Sequence, residues 1–386
     1  MKNLYSLFRK AFKIVINKLD MVNEETLTKM NILLGRKGIK NIKGWKTIKP
    51  STKVTIFELK TPKDFLELRI TSGSTGNPLY IFYSKEAINA FIRRTRESIK
   101  KSGVSKKDIV LNLFAYGNYI PGSMYERACL LEEIPILPLG APNTYPKEKI
   151  IEVILKIEPT VWFSVPSYAI GLLEVLKSID HKMKPRKVIV AGEMLLDSYL
   201  AKFEELGVEV VNHFGLTECP AIGVSKKGRP KVIEVIEDGV YIEAININEN
   251  LQLLVTDLNN TSTPIIRYNT QDILQDVRYN NNESLKEFTI VGRSDDLVKL
   301  QGMLTSKTKI DDFLSKYTER FIVYLETKDN RDHVRIIIPS NLKEKEKEIL
   351  DGLSFIFAKK SLMYEDKIDV PKTSSYKLRH IVDLRR

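Results

Sequence analysis

The sequence predicts an α/β protein: a large N-terminal domain with doubly covered, mainly parallel sheets plus an antiparallel β unit, then a small C-terminal α+β domain. Three observations predict it. From residue 106, short apolar runs alternate with amphipathic stretches, the pattern of βαβ units whose sheet is covered on both faces. After residue 230 the texture becomes an apolar/polar alternation broken by turn residues, as in antiparallel strands. After VGRSDDLVKLQG (residues 291–302) it changes again, to a hairpin and a charged helix. With 386 residues, 43% of them apolar, the chain can bury more than one core.

Taken in order, residues 4–19 place Leu4, Leu7, Phe8, Ala11, Phe12, Val15 and Leu19 on one helical face. This predicts a surface helix docked on the body, with membrane-surface binding as the sharper alternative. The helix lies in a basic segment: residues 1–70 carry 16 Lys+Arg against 6 Asp+Glu, within a chain of net charge +12. Such an excess suits an acidic partner, a membrane surface or nucleic acid, or is simply a solvated face. No aromatic–basic interleaving of a nucleic-acid platform is present, so no nucleic-acid partner is expected. No apolar run approaches the roughly 18 residues of a transmembrane segment, and the start lacks the features of a signal peptide. Cys129 and Cys219 make neither a disulfide framework nor a zinc site, so a cytoplasmic location is the reading.

The runs DIVLNLFAY, IPILPLG, TVWFSV, KVIVAG and VEVVNHF are expected as buried strands, with KEKIIEVILKIEP and SYAIGLLEVLKSID as helices between them. In KVIEVIEDGVYIEAININENLQLLVTDL, the turn signals Glu237-Asp238-Gly239 and Asn248-Glu249-Asn250 predict hairpins. Near the end, RFIVYLETKDNRDHVRIIIPS predicts another hairpin and NLKEKEKEILDG a charged helix.

The first chemical signal is ITSGSTGNP, residues 70–78. Thr71, Ser72, Ser74 and Thr75 offer hydroxyls, while Gly73 and Gly76 let backbone amides approach a ligand closely. Such a nest suits phosphate oxygens, although without a lysine it is not a Walker loop. Downstream follow HFGLTE (213–218), PIIRYNTQD (264–272), VGRSDDLVKLQG and PKTSSYKLR (371–379). Taken singly, Glu218 reads as a carboxylate at a helix start, Asp272 as a turn cap after Thr270, and Arg293 as a surface ion pair.

In this order the segments resemble the signature segments of the adenylate-forming superfamily, which comprises acyl-CoA synthetases, peptide-synthetase adenylation domains and luciferases. AYGNYIPGSMYERACLLEEIPILPLG, TSGSTGNP, GLTECPAIG, IIRYNTQDIL, GRSDDLVKLQGM and KLRHIVDLR are most similar to the phenylacetate-CoA ligase branch. The resemblance covers most of residues 70–386 and is weak over 1–69; Gln271, before Asp272, is a mild departure. It implies a large ATP- and carboxylate-binding domain over 1–294, including the basic segment 1–69, and a small mobile lid over 295–386.

The resemblance also implies roles. Thr71, Ser72, Gly73, Ser74, Thr75 and Gly76 would hold the ATP phosphates. Lys377, Glu218 and Thr217 would be catalytic, with Lys377 bridging the carboxylate and the α-phosphate and Glu218 holding Mg²⁺. Asp272 would accept the ribose hydroxyls and Arg293 would bind ribose or phosphate. Gly192, Glu193, His213, Phe214 and Gly215 would flank the adenine and acyl groups, His213 without a proton-transfer role. Asp295 falls at the interdomain hinge, and Lys299 and Gly302 on a segment that would complete a thiol tunnel. Tyr116, Gly117 and Tyr119, with Phe163 and Pro166, are the candidate walls of the acyl pocket. The implied reaction adenylates a small aromatic carboxylic acid with ATP, releases pyrophosphate and transfers the acyl group to coenzyme A. A carrier-protein phosphopantetheine or an amine is the alternative acceptor. A non-catalytic adenylate-binding scaffold is the other alternative, against which the joint presence of Glu218, Asp272, Arg293 and Lys377 speaks.

Overall fold

The computed structural model describes residues 50, 62, 64–71, 79–141, 145–263, 265–281, 283–300, 303–328, 331–354, 360–371 and 380–385. The helix expected at 4–19, residues Ser72, Gly73, Ser74, Thr75 and Gly76 of the hydroxyl-rich loop, Gly302 and Lys377 lie outside them, as does the side chain of Lys299.

The described fold begins with an antiparallel hairpin, β1 (Glu67–Ile70) and β2 (Tyr80–Tyr83). Its base is docked on the turn before residue 264. The Phe82 amide donates to Thr263 Oγ1 at 2.8 Å, and Ser262 Oγ donates to the Asp64 carbonyl at 2.6 Å. Ser84 then caps α1 (Lys85–Lys101) by accepting from the Ala87 amide, with Glu86 in the first turn and Lys100 and Lys101 in the last to match the helix dipole.

The alternation expected from residue 106 follows. It runs β3 (Val110–Asn112), α2 (Ile120–Leu131), β4 (Ile136–Pro138), α3 (Lys147–Ile157), β5 (Val161–Ser164), α4 (Pro166–Ser178), β6 (Lys187–Val190), α5 (Asp197–Glu205) and β7 (Glu209–Phe214). The five strands pair in parallel, in the order β4-β3-β5-β6-β7. Their runs are largely apolar because both faces are covered. Val110, Phe163, Ile189 and Val211 pack with α1 and α2, while Leu111, Trp162, Val188 and Val190 pack with α3, α4 and α5. Each fully buried large apolar side chain contributes roughly 1.5–3 kcal/mol.

The sheet continues without a break into β8 (Gly223–Lys226), β9 (Arg229–Val235), β10 (Val240–Ile247), β11 (Asn250–Asp257), β12 (Ile265–Tyr279) and β13 (Leu285–Arg293). The eleven-stranded order is β10-β11-β12-β13-β9-β8-β7-β6-β5-β3-β4. The parallel and antiparallel parts are thus one mixed sheet, joined where β7 pairs with β8 through His213↔Val224 and Phe214↔Gly223. Asn248 and Glu249, with φ of 49° and 64°, close the expected β10–β11 hairpin with the double positive φ of a type I′ turn. The expected hairpin at Glu237-Asp238-Gly239 is not one. β9 pairs with β8 and β13, and β11, β12 and β13 stand between it and β10. The turn residues reverse the chain there, but these three strands take the intervening places, β12 being bulged against both its neighbours.

A 3₁₀ turn at Ser294–Asp296 leads to the hairpin β14 (Leu297–Leu300) and β15 (Met303–Ser306), then α6 (Lys307–Ser315). The expected hairpin is β16 (Ile322–Lys328) with β17 (Arg331–Pro339). The expected charged helix is a 3₁₀ turn over Ser340–Lys345 and α7 (Glu346–Leu353). With β18 (Lys360–Glu365) and β19 (Ile381–Asp383) the strands form a separate sheet, β18-β17-β16-β19. Its core, which includes Val298, Ile310, Phe321, Val334, Ile349 and Leu353, is distinct from those built by residues 79–288. The two parts meet at α5 and α6: the Ser198 amide donates to Asp312 Oδ1 at 3.0 Å, and Lys202 Nζ pairs with Glu319 Oε1 at 2.9 Å. Among the described residues, no helix is long and apolar enough to cross a membrane.

Candidate active site

The loop after β7 sits at the carboxyl end of the parallel strands, where open α/β sheets place ligands. It folds back on itself: the Leu216 amide donates to the Cys219 carbonyl at 3.0 Å and the Ile222 amide to the Phe214 carbonyl at 2.9 Å. Gly215 is required by this closeness, since a Cβ there would lie 2.6 Å from the Ala221 nitrogen. The loop carries Thr217, whose carbonyl accepts from the Tyr83 hydroxyl, and Glu218, which is buried. Tyr268 of β12 donates its hydroxyl to Glu218 Oε1 at 2.7 Å. Burial, and then the Glu218 charge, push the Tyr268 phenol well above its usual range, which keeps it a donor.

On the same strand Asp272 stands directly opposite Arg293 of β13. Its Oδ1 accepts from Arg293 Nη1 at 3.2 Å, while Oδ2 is buried with no partner among the described residues. Burial, only partly offset by Arg293, lifts the Asp272 carboxyl to about 6, with Asp295 and Glu218 adding to the rise. Arg293 also grips both oxygens of Asp295 in the 3₁₀ turn, through Nε at 2.8 Å and Nη2 at 2.9 Å. Burial opposes its charge, but the bond to Asp295 and the charge of Asp272 outweigh that and raise it. A guanidinium thus ties the candidate ribose carboxylate to the candidate hinge.

The remaining candidates fall into three places. Gly192, at φ +83°, makes the turn after β6 that a side chain would strain. The next residue, Glu193, accepts at Oε2 from the Ser167 hydroxyl at 2.9 Å and its amide at 3.3 Å, at the start of α4, where a carboxylate suits the helix dipole. His213 and Phe214 point to opposite sides of the sheet. His213 is enclosed between Ser102 Oγ and the Tyr125 hydroxyl, each at 2.7 Å, and burial lowers it to about 3. Phe214 packs edge-on against Phe288 at 5.7 Å. Tyr116, Gly117 and Tyr119 lie on the partly open β3–α2 loop. The Tyr116 hydroxyl accepts from Asn112 Nδ2 at 3.0 Å, and the Gly117 carbonyl from the Arg69 guanidinium. Phe163 is fully enclosed with its ring 4.9 Å from Tyr125, and Pro166 is buried in the first turn of α4.

Thr71 closes the neck of the hydroxyl-rich loop: its amide donates to the Leu79 carbonyl and its Oγ1 accepts from the Leu79 amide, both at 2.9 Å. Lys299 is paired opposite Leu304 in the β14–β15 hairpin. The structure therefore brings Thr217, Glu218, Asp272, Arg293 and Asp295 into one linked group. It joins Glu193 to the start of α4, and sets His213, Phe214, Phe163 and Pro166 in packed surroundings. Sequence reasoning missed Tyr268, Tyr83, Arg69 and Ser167. Tyr268 shares the buried face of β12 with Thr270 and Asp272, so the two-residue period was its signal.

Residues 10–239, well over half of the chain, match the family described as AMP-binding enzyme. Among curated proteins, the phenylacetate-coenzyme A ligase of Pseudomonas putida is 25% identical over 291 residues, covering 71% of this chain and 66% of that protein. The one from Aromatoleum evansii is 27% identical over 278 residues, covering 68% and 62%. The chain thus spans less than two thirds of these relatives' length. Among solved structures, a 2-hydroxyisobutyryl-CoA ligase in the postadenylation state with 2-HIB-AMP superposes with a TM-score of 0.73 at 14% identity, covering 100% of this chain and 89% of that one. An anthranilate-CoA ligase with anthranoyl-AMP gives 0.60 at 18% identity, covering 81% and 65%. At these identities the likeness is one of fold.

Proposed function

This chain belongs to the AMP-binding enzyme family, and from that premise we propose that it is an ATP-dependent carboxylate–CoA ligase. The observation that carries the reading is Asp272: a buried carboxylate with Oδ2 unpartnered among the described residues, opposite Arg293 and linked through Tyr268 to the Glu218 loop. Two vicinal ribose hydroxyls are the donors that such a carboxylate lacks. The curated relatives, phenylacetate-CoA ligases, support the reaction class.

In the first step an oxygen of the substrate carboxylate attacks the α-phosphorus of ATP. The bond to the bridging oxygen breaks and pyrophosphate leaves. Two anions meet, so the site must supply positive charge and donors where charge builds. Lys377, from residues 295–386 acting as a lid on 1–294, would supply it at the reacting carboxylate. Thr71, Ser72, Ser74 and Thr75, with the amides of Gly73 and Gly76, would hold the β- and γ-phosphates. The family resemblance implies Mg²⁺, whose usual set is one or two carboxylates with phosphate oxygens and water. Glu218 fits that set, being a buried carboxylate fixed by one phenol and paired with no cation among the described residues. When bound, the ion would neutralise phosphate charge.

In the second step the thiol sulfur of coenzyme A attacks the acyl carbon, AMP departs and the thiol proton passes to solvent. Asp295 would serve as hinge for this step, with Lys299 and Gly302 along the thiol's path. A small aromatic acid is the proposed substrate, because Tyr116 and Tyr119 flank the glycine of the partly open β3–α2 loop. The two cysteines, both free and buried, suit work in a reducing cytoplasm.

The test is ATP–pyrophosphate exchange against a panel of carboxylic acids, repeated with coenzyme A to follow thioester. Lys377→Ala should lower exchange by orders of magnitude at an unchanged melting temperature. No exchange with any acid would sink the ligase reading. Exchange without thioester until a carrier protein or an amine is supplied would reassign the acceptor.

A further inference from the structure

We propose that Arg94, on α1, is a positioning residue that fixes the Thr217–Glu218 loop for catalysis; this rests on the ligase reading above. Arg94 lies on the buried stripe of α1, in register with Ala87, Ile88, Phe91, Thr95, Ser98 and Ile99, and is 0% exposed. Its neighbours Arg93 and Arg96 turn outward to Asp238 and Glu132. A charge on an otherwise buried stripe calls for a reason.

The guanidinium reaches three other segments. Its Nε and Nη2 converge on the Pro220 carbonyl at 3.2 and 3.0 Å. Nη1 donates to the Asp238 carbonyl at 3.0 Å, in the β9–β10 connection. Nη2 also faces Asp257 Oδ2, at the end of β11, at 3.4 Å. Pro220 lies two residues beyond Glu218, and the next residue, Ala221, holds a left-handed φ of +54° that alanine adopts only when its surroundings impose it.

Stability alone is a poor reason for this arginine. Desolvating a guanidinium is costly, and the carboxylate facing it, Asp257, lies at the long end of hydrogen-bond range at 3.4 Å; a joint in which both partners were apolar would be as firm or firmer. What an apolar side chain cannot do is fix the direction of one carbonyl through two converging N–H bonds. Glu218 is then held from two sides: its carboxylate by Tyr268 and its downstream backbone by Arg94.

The experiment compares Arg94→Met, Arg94→Lys and Asp257→Asn in the full chain. It measures exchange kinetics over ATP and acid concentration, thermal melts, and amide hydrogen exchange at Leu216 and Ile222. Arg94→Met should lower kcat for pyrophosphate exchange about tenfold to a hundredfold with the KM for the acid little changed. Its melting temperature should fall, because the buried Asp257 carboxylate and two backbone carbonyls lose their donor, but kcat per folded molecule should still be lowered, and the Leu216 and Ile222 amides should exchange faster. Arg94→Lys, which keeps a charged donor, should recover part of the rate. Wild-type kcat in Arg94→Met, or a loss that only follows the unfolded fraction with no recovery in Arg94→Lys, would overturn the proposal. If Arg94→Met does not fold, Arg94→Lys decides: a lower kcat at an unchanged melt supports the clamp, and a normal kcat overturns it, with Asp257→Asn, which leaves both bonds to the Pro220 carbonyl in place, as the control. If the wild type exchanges pyrophosphate with no acid, the ligase reading has failed. The clamp is then judged by the Leu216 and Ile222 amides, faster exchange supporting it and unchanged exchange overturning it.

Discussion

Tyr268, on β12, holds the carboxylate of Glu218, on the loop after β7, through a 2.7 Å hydrogen bond that joins elements 50 residues apart in sequence. A bond to a charged acceptor is worth roughly 1.5–3 kcal/mol. Tyr268→Phe keeps the ring and removes only the donor, so pyrophosphate exchange should fall about tenfold to a hundredfold. A rate within twofold of the wild type would show that Glu218 does not depend on this phenol.

Asp272 gives a prediction with opposite signs for stability and binding. Its folded carboxyl is lifted to about 6 from 3.8, so the folded state holds the proton more tightly than the unfolded one. Its contribution to stability is full below the unfolded value and is lost as pH rises through about 6. That amounts to a cost of about 3 kcal/mol at neutral pH. Asp272→Asn should therefore raise the melting temperature at neutral pH while weakening ATP binding by tenfold or more. In the wild type, ATP affinity should decline as pH falls through about 6. Calorimetric titration and thermal melts across that range check both signs.

His213 is expected to be neutral in one tautomer. Ser102 Oγ gives its proton to the Ser98 carbonyl at 2.7 Å, so His213 Nε2 must donate to Ser102 while Nδ1 accepts from Tyr125. Burial holds this imidazole down to about 3; its contribution to stability is present above the unfolded value of 6.5 and is lost as pH falls. Nitrogen-15 shifts should report a neutral Nε2–H ring throughout the working pH range. An inflection from His213 in the activity profile would refute the assignment.

The contact between the two parts should respond to pH through His380. Burial lowers this imidazole, but the bond to Asp311 and the Asp311 and Glu319 charges outweigh burial and raise it. Its Nε2 lies 3.1 Å from the Glu319 carbonyl, and the Glu319 side chain meets Lys202 of α5. The stability it contributes is present below 6.5 and should be lost as pH rises through the raised folded value. His380→Asn should flatten that dependence in thermal melts, and an identical pH dependence in wild type and variant would exclude the role.

Gly215→Ala places a Cβ 2.6 Å from the Ala221 nitrogen, so the loop must open. The melting temperature should fall, because the clash is with backbone and no side chain can turn away from it, and exchange activity per folded molecule should drop by about a hundredfold or more. Full activity in this variant would mean that the loop works in a different shape.

What could be read in advance followed from local patterning. The five parallel strands were legible because runs such as Val161–Ser164 are apolar on both faces, and the Asn248-Glu249 turn because asparagine tolerates the positive φ that opens it. Glu237-Asp238-Gly239 misled because turn chemistry marks a reversal, not the identity of the next neighbour. Asp272 and Arg293 could be singled out only by the motifs that carry them, and their direct opposition depends on the register of a bulged pair of strands. Tyr268 and Arg94 each carried a periodic signal, one on a strand face and one on a helix stripe. Both pass unnoticed when only recognisable motifs are weighed.

The docking of the β1–β2 hairpin bears on the order in which the molecule assembles. Its bonds to Ser262 and Thr263 span 198 and 181 residues of sequence, so each closes a very long loop of chain and the entropy of that closure falls due before any reward. The parallel strands and the β10–β11 hairpin have nearer partners and should form first. The hairpin should consolidate late in folding and, by the same reasoning, be among the first pieces to detach when the native state opens locally. Thr71, at the mouth of the proposed phosphate loop, therefore rides on a late-forming segment.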